Sequence, residues 1–253
     1  MNPLKVAQTF RIESYESDLN CSLKPFFLQN HVQELAYRGS EFCGASYEQL
    51  RGDNLFWALN RIHLQVLQWP RWGDEVTMET WSRAKAGPLW HRNFRMYSPS
   101  HPHEPLMLGT SAWTMLDVAN RSICRDEHGF NPAMHLEEDT LPFCSKTVIP
   151  REVEMAPSGT HRASFSELDT NAHVNNCMYT QWSIDQLPLE YLKEHTLRDL
   201  QICYYHELHY GDEIVLLLGR QADTWFVQGM LEDAVCFVVR MEFDGPGGRI
   251  LQA

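Results

Sequence analysis

Apolar positions along the chain follow two periodicities, and the pair of them is used twice. After Pro25, which suits a first helical turn, Leu28, Val32 and Leu35 with Ala36 recur at helical spacing. The pattern then switches to a period of two. Residues 61–69 alternate Ile62, Leu64 and Val66 against polar neighbours, and segments 75–81, 89–97 and 108–116 follow, rich in aromatic and β-branched side chains. In the second half an apolar face runs from Val174 through Met178 to Trp182 until Pro188 stops it, and strand patterns return at 200–206, 213–218, 224–231 and 235–243. One long helix and an antiparallel meander, repeated, predict an α+β chain rather than a doubly wound parallel sheet.

Two short matches tie the halves together. Glu16, Asp18, Asn20 and Leu23 return as Glu167, Asp169, Asn171 and Val174, a shift of 151 positions. Gly73-Asp74-Glu75 returns as Gly211-Asp212-Glu213, a shift of 138. Their order is preserved, which favours internal duplication over coincidence. Between the halves, residues 126–160 carry Pro132, Pro142, Pro150 and Pro157 with the acidic run Glu137, Glu138 and Asp139. A connection of that length reads as a boundary, with one short strand near 147–155. The expected division is a first domain over 1–135, a linker over 136–155 and a second domain over 156–253.

Composition narrows the class. At roughly 150 residues per domain, 253 residues make one large unit or two fused small ones. A hydrophobic share of 43% with 21% charged residues is ordinary globular usage and excludes disorder and disulfide miniproteins. The net charge of −12 disfavours broad electrostatic binding to nucleic acid or anionic lipid. Seven cysteines without a CxxC pair point to thiols in a reducing compartment. No apolar run approaches the ~18–20 residues of a membrane span, and the opening segment lacks the layout of a signal peptide, so the expectation is a soluble, cytoplasmic protein.

The densest polar cluster, Asp169 to Asn176 around His173, stands directly ahead of the second helix. Backbone N–H groups and the positive end of a helix dipole suit an oxygen acquiring negative charge, and an imidazole can move a proton near neutral pH. Each Asp or Asn there is equally an ordinary cap or turn residue. A second carboxylate, Glu207, falls in the strand pattern 203–209, where it serves either as a base or as a solvent-facing residue. The pair His206 and His209 imitates a zincin motif, but the histidines are three apart on an expected strand and would face opposite ways, so no metal is assigned. No P-loop, dinucleotide fingerprint or nucleophile elbow occurs. Cys177 is read as packing.

Asp169, Asn171, His173, Val174, Asn175 and Asn176, followed by Tyr179 and Trp182, resemble the active-site segment of acyl-acyl-carrier-protein thioesterases. The stretch from Arg61 to Trp81 and the segment Thr110 to Trp113 are similar to parts of that family's first half, and the resemblance spans about residues 5–245. It implies a tandem hot-dog fold, two long helices each wrapped by an antiparallel sheet. It also implies a catalytic set of Asp169, Asn171, His173 and Glu207, with no metal or redox cofactor. Plant members carry a cysteine after the glutamate; here Leu208 stands there, which favours direct attack by water.

His173 corresponds to Ser22 and Glu207 to Trp69, so the resemblance implies one active site per chain. The first half is then expected to supply an acyl pocket lined by Trp57, Ile62, Leu64 and Trp113, each also readable as plain core. The implied partner is acyl carrier protein bearing an acyl-phosphopantetheine arm. That carrier is acidic, so docking on a chain of charge −12 needs a local basic patch, for which Arg83, Lys85, Arg92 and Arg95, or Lys193 and Arg198, are available. A homodimer is allowed. Three other functions stay open on this reading: an acyl-CoA thioesterase, an acyl-thioester hydratase or dehydratase, and a non-catalytic acyl-binding module.

Overall fold

In a computed structural model, residues 2–83, 85–125, 134–138 and 141–245 are described. The chain divides into two compact units, Met1–Cys144 and Ser145–Ala253.

The first unit contains β1 (Val6–Arg11), α1 (Pro25–Phe42), α2 (Tyr47–Gly52), β2 (Leu55–Val66), β3 (Glu75–Ser82), β4 (Trp90–Tyr97) and β5 (Pro105–Asp117). The strands form an antiparallel sheet in the order β1-β3-β4-β5-β2. Pro25 opens α1, where its missing N–H costs nothing. The helix buries Leu28, Val32, Leu35 and Ala36, the face that the helical spacing predicted, against β1 and β3. Gly39 extends that face because the Arg92 guanidinium lies where its Cβ would stand, 2.1 Å away.

The second unit contains β6 (Ala156–Arg162), α3 (Asn176–Ile184), α4 (Leu189–Glu194), β7 (Thr196–Tyr204), β8 (Glu213–Gln221), β9 (Thr224–Leu231) and β10 (Ala234–Asp244). Its sheet runs β6-β8-β9-β10-β7, all antiparallel, the same order as the first unit element for element. Each unit is one helix-bearing segment and a five-stranded meander, the tandem hot-dog arrangement.

The two sequence shifts recur in the hydrogen bonds. Phe10 pairs with Val76 and His161 with Ile214. Leu23 N donates to Pro70 O and Val174 N to Leu208 O; Gly73 N donates to Ile12 O and Gly211 N to Ala163 O. Cys21 and Ala172 both take a left-handed φ, 58° and 62°.

Several features of the fold depart from the pattern reading; helices α2 and α4 and the start of β2 at Leu55 were not predicted. Strands β1 and β6 are present where none was predicted; both are edge strands, β1 with mostly half-buried and β6 with mostly exposed side chains, so neither shows a clean apolar alternation. Residues 147–155 form no strand; the strand begins at Ala156. Helix α3 ends at Ile184, short of Pro188, which instead precedes α4. The expected linker is docked at its start: Glu138 O accepts from Trp81 Nε1 and Asn93 Nδ2, and Leu141 O from Arg83, which ties this stretch to the first unit. Pro132 and Asp139 lie outside the described residues.

A buried carboxylate anchors each unit. Glu16 Oε2 accepts from Glu13 N, and Glu16 Oε1 lies 2.9 Å from His31 Nε2 with Phe10 stacked on that imidazole. In the second unit Glu167 accepts from Ser164 N and from Trp182 Nε1 at 2.8 Å, and His161 Nε2 lies 2.8 Å away. The ring pair has exchanged places: strand Phe10 and helix His31 in one unit, strand His161 and helix Trp182 in the other.

Burial pushes the Glu167 carboxyl up, but the bonds from Ser164, His161 and Trp182 outweigh it and hold the pKa below its ordinary 4.5. A depressed carboxylate stabilises the fold above its unfolded pKa and loses that contribution as pH falls through its folded value. Replacing Glu167 by Ala should cost about 1–3 kcal/mol at pH 7. Denaturant titrations of both proteins should show the gap narrowing below pH 4.5; a gap independent of pH contradicts this role.

Candidate active site

The site is built on the segment between the Glu167 anchor and α3. Asp169 Oδ1 accepts from Asn171 N at 2.8 Å and from His173 N at 3.3 Å, closing a turn whose left-handed corner is Ala172. Asp18 closes the same turn in the first unit through Asn20 N and Ser22 N. Because the first unit keeps this turn without a histidine, Asp169 acts here as a builder of the loop. Asn175 then caps α3, its side chain accepting from Cys177 N at 2.9 Å.

Val174 N donates to Leu208 O at 2.7 Å, and His173 forms an antiparallel bridge with His209. That pairing sets two loops side by side. His173 Nε2 lies 3.5 Å from Glu207 Oε2, both partly open to solvent. The His173 and His209 rings meet edge to face at 4.9 Å. Asn171 is exposed beside them on the turn.

Glu207 is not on a strand, contrary to the pattern reading. Strand β7 ends at Tyr204, and Glu207 belongs to the following loop, free of the fixed alternation that a ladder imposes. Leu208, between exposed Glu207 and His209, is 0% exposed, so a side chain at this position points into the core. Cys177 is also 0% exposed, and burial pushes its thiol well above the ordinary range, which removes it as a nucleophile.

His209 is the residue that pattern reading misses. It was paired with His206 in a failed zincin motif, whereas its neighbour in space is His173. Ligand atoms of His173, Glu207 and His209 all lie within 4.8 Å of one another, a group with the donor types of a metal site. The signal was available in the repeat, since His209 occupies the position of Arg71, which bridges to Ser22 just as His209 bridges to His173.

The remaining sequence candidates lie in the first unit. Trp57 and Trp113 are half-buried against a cluster of Cys43, Ala45, Leu50, Leu55, Trp90 and Met115. Ile62 and Leu64 are wholly buried. A bulge between Leu59 and Arg61 shifts the alternation by one, and the β2-β5 register thereby puts Trp57, Ile62, Leu64 and Trp113 on one face of the sheet.

The three arginines and one lysine of the first expected basic patch do not form one surface. Arg83 is buried, donating to Leu141 O and lying 4.1 Å over the Phe143 ring. Burial, with Arg83 and Arg61 nearby, lowers the His91 pKa to about 4. Arg92 is buried too, donating to Thr80 Oγ1. Neither can offer its charge to a partner's surface. Lys85 and Arg95 stay partly exposed, donating to Arg125 O and Pro102 O.

The chain is thus a tandem hot-dog with an imidazole and a carboxylate brought together ahead of a helix. Two family models match it: the acyl-ACP thioesterase N-terminal domain over residues 3–130 and the C-terminal domain over residues 153–232. The chain belongs to the acyl-ACP thioesterase family. It is 29% identical over 217 residues to the chloroplastic palmitoyl-acyl carrier protein thioesterase of Gossypium hirsutum, covering 81% of this chain and 52% of that protein. It is 26% identical over 269 residues to oleoyl-acyl carrier protein thioesterase 1 of Arabidopsis thaliana, covering 96% and 73%. The chain thus spans about half the length of the cotton protein. An acyl-ACP thioesterase structure from Bacteroides thetaiotaomicron shares the fold with a TM-score of 0.84 at 21% identity, covering 95% of this chain and 98% of that one. The 12:0-ACP thioesterase of Umbellularia californica does so with 0.84 at 19%, covering 97% and 99%.

Burial predicts the order of thiol reactivity. Iodoacetamide should label exposed Cys21 first and leave Cys177 unmodified in the folded protein, as read by mass spectrometry of peptides. Early labelling of Cys177 contradicts the packing described.

Proposed function

We propose that this protein hydrolyses the thioester between a fatty acyl group and the phosphopantetheine arm of acyl carrier protein. The observation that carries the reading is the 3.5 Å approach of His173 Nε2 to Glu207 Oε2, in a chain of this family. The pair takes a proton from water, whose oxygen attacks the thioester carbonyl. The oxyanion that forms sits at the N-terminal end of α3 with the Asn171 amide as a donor. When the tetrahedral intermediate collapses, the C–S bond breaks, the thiolate recovers the proton from the imidazole, and free fatty acid leaves.

Backbone donors take a smaller part than the sequence suggested. The N–H groups of residues 171–175, 177 and 178 are already engaged, by acceptors of Glu167, Asp169, Asn175 and Leu208. Asp169 orients the loop rather than the proton. In the first unit, Ser22 and Trp69 occupy the places of His173 and Glu207, so that unit carries no proton-transfer pair. Its share is apolar: Trp57 and Trp113 offer half-buried surface suited to an acyl chain, backed by the buried Ile62 and Leu64. Seven cysteines without a disulfide among the described residues suit a reducing compartment, and we place the protein in the cytoplasm. No helix among the described residues is long and apolar enough to cross a membrane.

Purified protein incubated with acyl-ACP substrates of graded length should release free fatty acid, measured by mass spectrometry. His173→Ala and Glu207→Ala should each lower kcat/KM by about 10²–10⁴ with the circular dichroism spectrum unchanged. Wild-type rates in both variants, or conversion of enoyl thioesters without release of acid, contradict the reading.

For docking, Lys85 and Arg95 remain as candidates of the basic set. A Lys85→Glu, Arg95→Glu double variant should raise KM for acyl-ACP several-fold and flatten its salt dependence, leaving kcat near wild type. An unchanged KM places the carrier elsewhere.

A further inference from the structure

We propose that His173, Glu207 and His209 form a binding site for a divalent transition-metal ion of the Zn²⁺ type, and that occupancy of the site shuts off hydrolysis. The binding half of this inference stands on geometry alone; the inhibition half rests on the function proposed above.

The three side chains supply two imidazoles and a carboxylate, a donor set that suits Zn²⁺ and its neighbours and is poor for Mg²⁺ or Ca²⁺. Around a tetrahedral zinc with bonds of about 2.0–2.1 Å, donor atoms stand about 3.3–3.5 Å apart. His173 Nε2 and Glu207 Oε2 already have that spacing, at 3.5 Å. All three ligand atoms fall within 4.8 Å of one another, and rotation of the exposed His209 ring closes the remainder.

The backbone holds the set in place. His173 and His209 are partners of an antiparallel bridge, locked by the Val174 N to Leu208 O bond of 2.7 Å, so two ligands sit opposite each other on neighbouring segments. Asp212 braces the His209 end of the set: its Oδ2 accepts from His209 N at 2.8 Å and stands 3.8 Å from His209 Nδ1, a carboxylate placed to support the ring when the ion binds. The ligands are partly exposed, which leaves an open path for the ion and room for water in the fourth position. In the first unit the corresponding positions are Ser22, Trp69 and Arg71, a set that cannot ligate a cation. The first unit therefore has no counterpart of this set.

A bound ion would take the lone pair of His173 and the charge of Glu207, the two groups that hydrolysis needs for water. Metal binding and turnover therefore exclude each other.

The test uses the full chain, freed of metal with a chelator, and Zn²⁺ alone as the probe in isothermal titration calorimetry. The wild type should bind one Zn²⁺ per chain, unaffected by millimolar Mg²⁺, and His209→Ala and His209→Gln should each weaken that binding by 10–100-fold or more. His206→Ala and Cys21→Ser, exposed neighbours in type but outside the cluster, should bind as wild type does. Zinc should inhibit acyl-ACP hydrolysis over the concentration range in which it binds, and chelator should restore activity. Absence of zinc binding, binding that survives both His209 variants, or binding lost in Cys21→Ser overturns the site. Zinc binding at this site in a protein that releases no fatty acid would overturn the proposed hydrolysis and leave the metal site standing; hydrolysis unaffected by saturating zinc would overturn the inhibition.

Discussion

Everything at the site depends on a single backbone hydrogen bond, from Val174 N to Leu208 O. It joins the turn ahead of α3 to the loop after β7, two segments that the chain reaches by separate routes. Without it, His173 and Glu207 would each be an ordinary exposed residue on its own loop. With it, an imidazole and a carboxylate are fixed side by side at the end of a helix. The bond is itself held from behind: Asn175 N donates to Glu167 O, and the Glu167 side chain is clamped by Ser164 and Trp182. Buried carboxylate, loop and site form one mechanical series, which is why an anchor remote from the chemistry matters to it.

The first unit shows what this framework is worth without the chemistry. Leu23 N bonds Pro70 O, Asp18 closes its turn, and Glu16 is clamped beside His31, so the scaffold is intact. Only the residues displayed on it differ. Ser22, Trp69 and Arg71 stand where the second unit has His173, Glu207 and His209, so the imidazole and carboxylate cluster has no counterpart there. The buried anchors tolerate exchange as well, provided the sum is kept: an aromatic ring and an imidazole sit over each glutamate, contributed by opposite elements in the two units. Duplication has conserved hydrogen-bond roles more strictly than residue types.

Much of this was legible before any coordinates. The helix over Pro25–Phe42 follows from periodicity, because it buries one regular face; the strand Thr224–Leu231 matches its sequence segment although Trp225, Phe226 and Val227 are buried in succession. The two repeat shifts were readable because glycine, aspartate and glutamate at turns are demanded by backbone geometry and survive divergence. Edge strands β1 and β6 were not legible, since neither alternates apolar with polar positions: β1 is mostly half-buried and β6 mostly exposed. Neither was the burial of Arg83 and Arg92: a guanidinium that donates to a carbonyl or a hydroxyl inside a fold looks, in sequence, like any surface charge. The bulge beside Asn60 could not be seen either, although it decides which residues share a face with Trp57. His209 was overlooked because its relevant neighbour is distant in the chain, while a closer histidine suggested a false motif.

The most direct test of the central claim is a double-mutant cycle on kcat/KM for acyl-ACP, comparing His173→Ala, Glu207→Ala and the combination. Groups that move one proton as a unit are non-additive. The double variant should therefore fall little below the weaker single variant, far short of the product of the two losses. Losses that multiply fully, or a double variant as active as the wild type, would mean that the imidazole and the carboxylate do not work together.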